Sequence, residues 1–250
     1  MAYIKLGDLT LPGNNDRPPV VQRQTIFPGT ALDTFEFLTP GGNINLSVTG
    51  ISGGGNVNLN LFHDANGNDV LDPGDKFLGS SQRANQLDES VNINGAVLRG
   101  KFFAQVEKQV VFGVGDIPVS YTFAASRALL SNLLPKESEL GTLAQDVTRK
   151  GDVGNLNTTD VYSFSLKRGD LVRIRLSEQG GDARMRLIQD RNGNKLIDAG
   201  DRVNGSATSN QLTLKAGFNS PTTDYLLQVN QVSGATQYEV SFDRLPFAPV

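Results

Sequence analysis

The chain predicts an all-β fold: two tandem jelly-roll or Ig-like antiparallel β-sandwich domains joined by a short helical linker. Three observations carry that expectation. Apolar residues alternate with polar ones at a period of two, Gly, Asn and Asp punctuate the alternating stretches, and the sequence repeats itself. Period-two alternation buries one face of a strand and wets the other, and short strands separated by turn residues are the pattern of a sandwich.

The repeat sets the domain count. A chain of 250 residues can hold one large domain or two smaller ones. Leu6-Gly7-Asp8-Leu9 matches Leu140-Gly141-Thr142-Leu143, and Asp33-Thr34-Phe35-Glu36-Phe37 matches Asp160-Val161-Tyr162-Ser163-Phe164. Asn85-Gln86-Leu87 matches Asn210-Gln211-Leu212, and Ala104-Gln105-Val106 matches Leu227-Gln228-Val229. Near the ends of the copies, Val119-Ser120-Tyr121 corresponds to Thr236-Gln237-Tyr238. The boundaries follow: a first sandwich over residues 1–125, a linker over 126–137 and a second sandwich over 138–250.

In the first copy Ile44, Leu46 and Val48 alternate with Asn43, Asn45 and Ser47, and Val57, Leu59 and Leu61 alternate with Asn58 and Asn60. In the second, Val172, Ile174 and Leu176 alternate with Arg173 and Arg175, and Met185 and Leu187 with Arg184 and Arg186. Burial of roughly 1.5–3 kcal/mol per large apolar side chain holds such a sandwich together.

Between the copies, Ala124 to Leu134 reads as a helix stopped by Pro135. The first copy also carries an insertion: 27 residues separate Leu6 from Asp33, against 20 between Leu140 and Asp160. The extra residues fall within Pro12 to Gly29. Prolines at 12, 18, 19 and 28 resist regular pairing and favour an extended arm, lying on its own domain or adding to a neighbouring subunit.

The most informative repeat is D-x-N-G-N-x-x-[LI]-D-x-G-D, at Asp64–Asp75 and again at Asp190–Asp201. The copies lie 126 residues apart with seven of twelve positions identical. Its spacing is that of a calcium loop, with side-chain oxygens at positions 1, 3, 5, 9 and 12 and a backbone carbonyl at 7. The candidate ligands are Asp64, Asn66, Asn68, the Val70 carbonyl, Asp72 and Asp75 in the first copy. In the second they are Asp190, Asn192, Asn194, the Leu196 carbonyl, Asp198 and Asp201. Two calcium sites, one per domain, are expected.

Gly67 and Gly193 permit the turn, and Leu71 and Ile197 are placed to anchor it to the core. Position 6, usually Gly in such loops, is Asp69 or Lys195, and position 12, usually Glu, is the shorter Asp75 or Asp201. Strands replace the usual flanking helices, so weak sites with Kd of about 10⁻⁴–10⁻³ M are expected, as in extracellular modules. The alternative is an Asx/Gly-rich turn that holds no metal.

Other classes lose support. A formal charge of −3 offers no concentrated basic surface for nucleic acid or anionic membrane. No apolar run is long enough to span a membrane, and the absence of Cys excludes disulfide and thiol chemistry. No signal peptide is visible in MAYIKLGDLTL, which leaves the export route open. His63, the only histidine, lies by alternation on the face of Val57, Leu59 and Leu61, and no nucleophile motif accompanies it. Arg168-Gly169-Asp170 spells RGD and reads as a hairpin turn, and Gly53-Gly54-Gly55 as a flexible turn.

Four features of the second copy resemble the bacterial pre-peptidase C-terminal domain: the opening Leu-Gly-x-Leu, the D-x-[YF]-x-F strand, the D-x-N-G-N loop and the final Tyr-x-[VL]-x-[VF] strand. The first copy matches more loosely because of its insertion. The resemblance implies a small jelly-roll-like sandwich, often calcium-dependent, appended to exported enzymes or surface proteins as an accessory module and not a catalyst. The expected function is therefore a non-enzymatic, calcium-binding extracellular or cell-surface structural protein. In that reading it forms a homo-oligomer or polymer, such as a matrix layer or filament, through the N-terminal arm. The alternatives are a carbohydrate- or protein-binding adhesion module with a polysaccharide partner, or an accessory domain of an exported peptidase.

Overall fold

The computed structural model describes residues 2–9, 18–84, 87–95, 98–109, 115–206, 210–217 and 220–246. The chain divides into two compact units, Met1–Glu137 and Ser138–Val250. Among the described residues both are built of strands alone. The first holds β1 (Tyr3–Asp8), β2 (Val20–Ile26), β3 (Leu32–Thr39), β4 (Gly42–Thr49), β5 (Asn56–His63), β6 (Lys76–Ser81), β7 (Glu89–Gly95), β8 (Gly100–Gln109) and β9 (Val119–Ser126). The second holds β10 (Ser138–Thr142), β11 (Val147–Val153), β12 (Thr159–Lys167), β13 (Leu171–Gln179), β14 (Asp182–Gln189), β15 (Arg202–Ser206), β16 (Gln211–Lys215), β17 (Thr222–Ser233) and β18 (Thr236–Leu245).

The sheet orders are β1-β3-β8-β5-β6 and β2-β9-β4-β7 in the first unit, and β10-β12-β17-β14-β15 and β11-β18-β13-β16 in the second. Strand for strand, the two topologies are the same. From β2 to β9 the chain alternates between the sheets at every connection but one, which is the eight-stranded jelly roll and not the immunoglobulin arrangement. The exception is β5–β6, repeated as β14–β15. These hairpins carry the two Asx-rich loops.

Two features depart from a purely antiparallel sandwich with a helical linker. First, β1 pairs parallel with β3, and β10 with β12. The chain leaves β1, passes through β2 in the opposite sheet and returns to β3, so the two strands run the same way. The repeated Leu-Gly marks a register shift in this pairing, where Gly7 (φ 76°) and Gly141 (φ 65°) adopt left-handed backbone. Leu9 and Leu143 then drop into their respective cores.

Second, Ala124 to Leu134 is not helical. Ala124 and Ala125 lie in β9, opposite Val21 and Val20 on one side and Ser47 and Leu46 on the other. Beyond Ser126, the Asn43 and Asn45 amides donate to the carbonyls of Leu129 and Ala128, at 2.6 and 2.9 Å. Bonds from distant residues thus replace the i→i−4 bonds a helix would need, and tertiary pairing overrides local propensity.

The proline-containing arm is spent on its own unit over Val20–Ile26, which pairs with β9 from Val20↔Ala125 to Ile26↔Val119. Pro12 and the residues around it lie outside the described residues. So do Asn85 and Gln86 of the Asn-Gln-Leu match. Its leucines are not structural equivalents: Leu212 lies in β16 opposite Ile174, whereas Leu87 precedes β7. The position corresponding to Leu212 in the first unit is Val91, opposite Leu46.

Each unit has its own core. In the first, Phe35 stacks on Phe123 at 4.0 Å between ring centroids, and Phe37 on Phe102 at 5.7 Å. In the second, Phe164 packs against Phe242 edge-on at 5.3 Å. Such pairs add about 0.5–1.5 kcal/mol beyond the area they bury. The alternating residues named from sequence, Ile44 through Leu61 and Val172 through Leu187, all fall in these cores.

Candidate functional site

Each loop follows a strand of the five-stranded sheet and folds by a relay of Asx turns. In the first, Asp64 Oδ1 accepts from the backbone N–H of Gly67 (2.7 Å) and Oδ2 from that of Asp69 (3.0 Å). Asn66 Oδ1 accepts from Asn68 N–H (3.1 Å), and Asn68 Oδ1 from Val70 N–H (2.9 Å). Asp72 N–H donates to Asp75 Oδ2 at 3.0 Å. The second loop repeats these bonds: Asp190 with Gly193 and Lys195, Asn192 with Asn194, Asn194 with Leu196, and Asp198 N–H with Asp201 Oδ2.

The backbone at positions 4 and 6 is left-handed in both copies. Gly67 and Gly193 have φ of 68° and 69°, and Asp69 and Lys195 have φ of 65° and 64°. Asp69 and Lys195 therefore hold, without glycine, a backbone conformation that costs an L-residue about 1–2 kcal/mol.

The position-9 carboxylate is the focus of each loop. Asp72 accepts from the amide of Asn66 (3.1 Å), the amide of Asn68 and Gly74 N–H. Asp198 accepts from the amides of Asn192 (2.9 Å) and Asn194 (2.7 Å) and from Gly200 N–H (2.8 Å). These donors hold both carboxyls below the usual carboxylate range, the Asn68 amide contributing most at Asp72 and Gly200 N–H most at Asp198. Among the described residues no three carboxylates or imidazoles form a cage by themselves.

Position 12 separates the copies. Asp201 Oδ1 accepts from Arg191 N–H at 3.0 Å, whereas Asp75 Oδ1 is buried and has no hydrogen-bond partner. A second difference was not visible from the loop sequence. Lys101 on β8 bridges Asp69, at 2.9 Å, and Glu36, at 3.1 Å. Strand register makes Asp224 the equivalent of Lys101, and loop spacing makes Lys195 the equivalent of Asp69, so the two charges are exchanged between the copies. Only comparison of paired strands exposes that exchange. Leu71 and Ile197 are half-buried and lie outside the core clusters, a weaker anchorage than their position suggests.

The remaining motifs have structural roles. His63 packs against Phe102 in a tilted arrangement, at 4.8 Å between ring centroids, and its Nε2 lies 2.9 Å from the Arg99 carbonyl. The RGD is not a hairpin turn but the link from β12 to β13 in the opposite sheet. Asp170 there accepts from Arg244 (2.6 Å) and from Lys167 N–H (3.2 Å), so its carboxylate is engaged within the unit.

The fold and loops define a class: a jelly-roll sandwich of nine strands, duplicated, with one Asx-rich hairpin loop per copy. Residues 158–231, from the start of β12 into β17 and including the second loop, match the family model described as the bacterial pre-peptidase C-terminal domain. The match spans less than a third of the chain; domains of that family are non-catalytic accessory domains found in secreted peptidases, and no catalytic family is indicated.

Among solved structures, the chain is similar to the pre-peptidase C-terminal domain of collagenase from Bacillus anthracis. That match has 17% identity and a TM-score of 0.33, and it covers 50% of this chain and 92% of that one. The CUB1-EGF-CUB2 domains of rat MASP-1 match at 9% identity and a TM-score of 0.27, over 96% of this chain and 99% of that one. The turret protein A223 of Sulfolobus turreted icosahedral virus matches at 8% and 0.27, over 92% and 100%. At these scores none of the three carries a functional argument. No curated protein matches the chain.

Proposed function

We propose that this protein is a non-enzymatic, calcium-binding extracellular module in which each jelly roll is stiffened by one Ca²⁺ held in its β5–β6-type hairpin. One observation carries the proposal: the two loops share the same Asx relay, including left-handed backbone at a position 6 held by Asp69 or Lys195 instead of Gly. A turn serving only to reverse the chain had no need to keep that strained conformation twice.

The residues fit a hard cation. Asp64, Asn66, Asn68, Asp72 and Asp75 carry carboxylate and amide oxygens, as do Asp190, Asn192, Asn194, Asp198 and Asp201, and with the Val70 and Leu196 carbonyls they make up the donor types that Ca²⁺ takes. Amide N–H groups converge on Asp72 and Asp198 where a cation would neutralise the charge, and Asp75 Oδ1 is a buried oxygen with no partner. Calcium bound there supplies cross-links among residues of one hairpin, and the chain supplies the preformed turn.

Calorimetric titration of the full chain with Ca²⁺ tests the proposal. Two binding events per chain, both abolished in Asp72→Ala/Asp198→Ala, are expected. Absence of saturable heat at millimolar Ca²⁺ would refute it.

Self-association is the finer reading, and one observation favours it: β2 is an edge strand whose outer side is unpaired within its sheet. Sedimentation at high concentration with Ca²⁺ tests it, and a strict monomer removes it.

A further inference from the structure

The second unit contains a cleft of about 670 Å³, of a size that takes a small molecule. It opens beside the Asp190–Asp201 loop, between residues of β14 and β15 in one sheet and β16 in the other. Three cationic side chains, Arg191, Arg202 and Lys215, line it, and its described lining includes no Asp or Glu. In a chain of net charge −3 that concentration of one sign is not the average surface. Leu212, half-buried on β16, contributes apolar surface to the same walls, while Leu187 and Leu214 back it from the core.

Neutral donors complete the lining. Tyr225 and Thr223 contribute hydroxyls and Gln189 an amide. Burial pushes the Tyr225 hydroxyl above its usual range, so it stays protonated and able to donate at neutral pH.

The first unit does not repeat this chemistry. Strand register and loop spacing place Phe102 at the position of Tyr225, His63 at that of Gln189, Ala65 at that of Arg191 and Asn94 at that of Lys215. There the His63 ring packs, tilted, against Phe102. Only Lys76 keeps a cation, at the position of Arg202.

We infer that this cleft is a binding site for a carboxylate-bearing saccharide of the uronate class. The guanidinium and ammonium groups take the carboxylate, the hydroxyl and amide donors take ring hydroxyls, and Leu212 takes a C–H face of the ring. The inference is independent of whether the loops hold calcium.

Titration of the full chain with glucuronate, glucose and inorganic sulfate, followed by ¹⁵N-resolved NMR, tests it. Saturable glucuronate binding is expected, with shifts at Leu212, Thr213 and Thr223, and with little response to glucose or sulfate. Arg202→Gln/Lys215→Gln should weaken glucuronate at least about tenfold while keeping the parent spectrum elsewhere, and Lys76→Gln should leave it unchanged. Sulfate binding as tight as glucuronate would reduce the cleft to a generic anion site and overturn the saccharide assignment. So would glucuronate affinity unchanged in the double variant, or no saturable binding in buffers both with and without Ca²⁺.

Discussion

Tyr121, on the last strand of the first unit, donates its hydroxyl to Asp33 Oδ2 at 2.8 Å, joining the two sheets of the sandwich. Tyr238 donates to Asp160 at the equivalent place in the second unit. Burial, more than the carboxylate itself, drives both tyrosine pKa values far above their usual range, so each hydroxyl stays a donor at any pH the fold survives. Tyr121→Phe leaves the buried Asp33 carboxylate short of one donor and is expected to cost about 1.5–3 kcal/mol. Each carboxylate keeps one other donor, Ala2 N–H on Asp33 and the Asn157 amide on Asp160, both at 2.9 Å, but Tyr238→Phe also removes the bond to the buried Tyr162 hydroxyl at 2.7 Å and should cost more. Urea unfolding midpoints check both, and equal losses would argue against the Tyr162 contribution.

The two loops should differ in calcium affinity. The first carries Asp64, Asp69, Asp72 and Asp75 and no cation, whereas the second sets Arg191 and Lys195 against Asp190, Asp198 and Asp201. The loop charges are therefore −4 and −1. Ligand charge tunes such sites, so the first loop is expected to bind at least about tenfold more tightly. In a calorimetric titration Asp72→Ala should remove the tighter event and Asp198→Ala the weaker one.

Lys195 occupies left-handed backbone, with φ of 64°. Lys195→Gly relieves that conformation, which costs an L-residue about 1–2 kcal/mol, and is expected to stabilise the second unit by up to about 1 kcal/mol once glycine's greater unfolded freedom is subtracted. Lys195→Val should do the opposite. Thermal unfolding in chelator separates this backbone effect from metal binding.

Glu89 is fully buried, and burial pushes its carboxyl above the ordinary range despite hydrogen bonds from Ser81 Oγ and Arg83 N–H and the Arg83 guanidinium at 3.9 Å. A raised carboxyl pKa contributes stability that is complete below the unfolded value of about 4.3 and is lost as pH rises through the folded one. Glu89→Gln keeps the shape and removes the charge, while Arg83 retains Glu137 at 3.6 Å. The variant should be more stable than the parent at neutral pH, and the two should converge below about pH 4. A constant difference across that range would contradict the assignment.

The repeated loop was legible in the sequence because its information is local. Spacing of Asp and Asn over a dozen residues fixes which side chains can cap which backbone N–H groups, and the same bonds form in both copies. The saccharide cleft was not legible. Arg191, Lys215 and Tyr225 are far apart in the chain and meet only because β14, β16 and β17 do. The Lys101–Asp69 bridge was hidden for the same reason.

From the sequence alone came the strand faces, the duplication and the turn chemistry, since alternation at Ile44-Leu46-Val48 or Val172-Ile174-Leu176 specifies a buried side whatever the strand's neighbours are. Only the tertiary structure decided which sheet each strand joins, that β1 runs parallel to β3, and that Ala124 and Ala125 extend β9 instead of starting a helix. Strand partners lie far off in sequence, and a backbone N–H takes its bond from whichever carbonyl the assembled sheet brings to it.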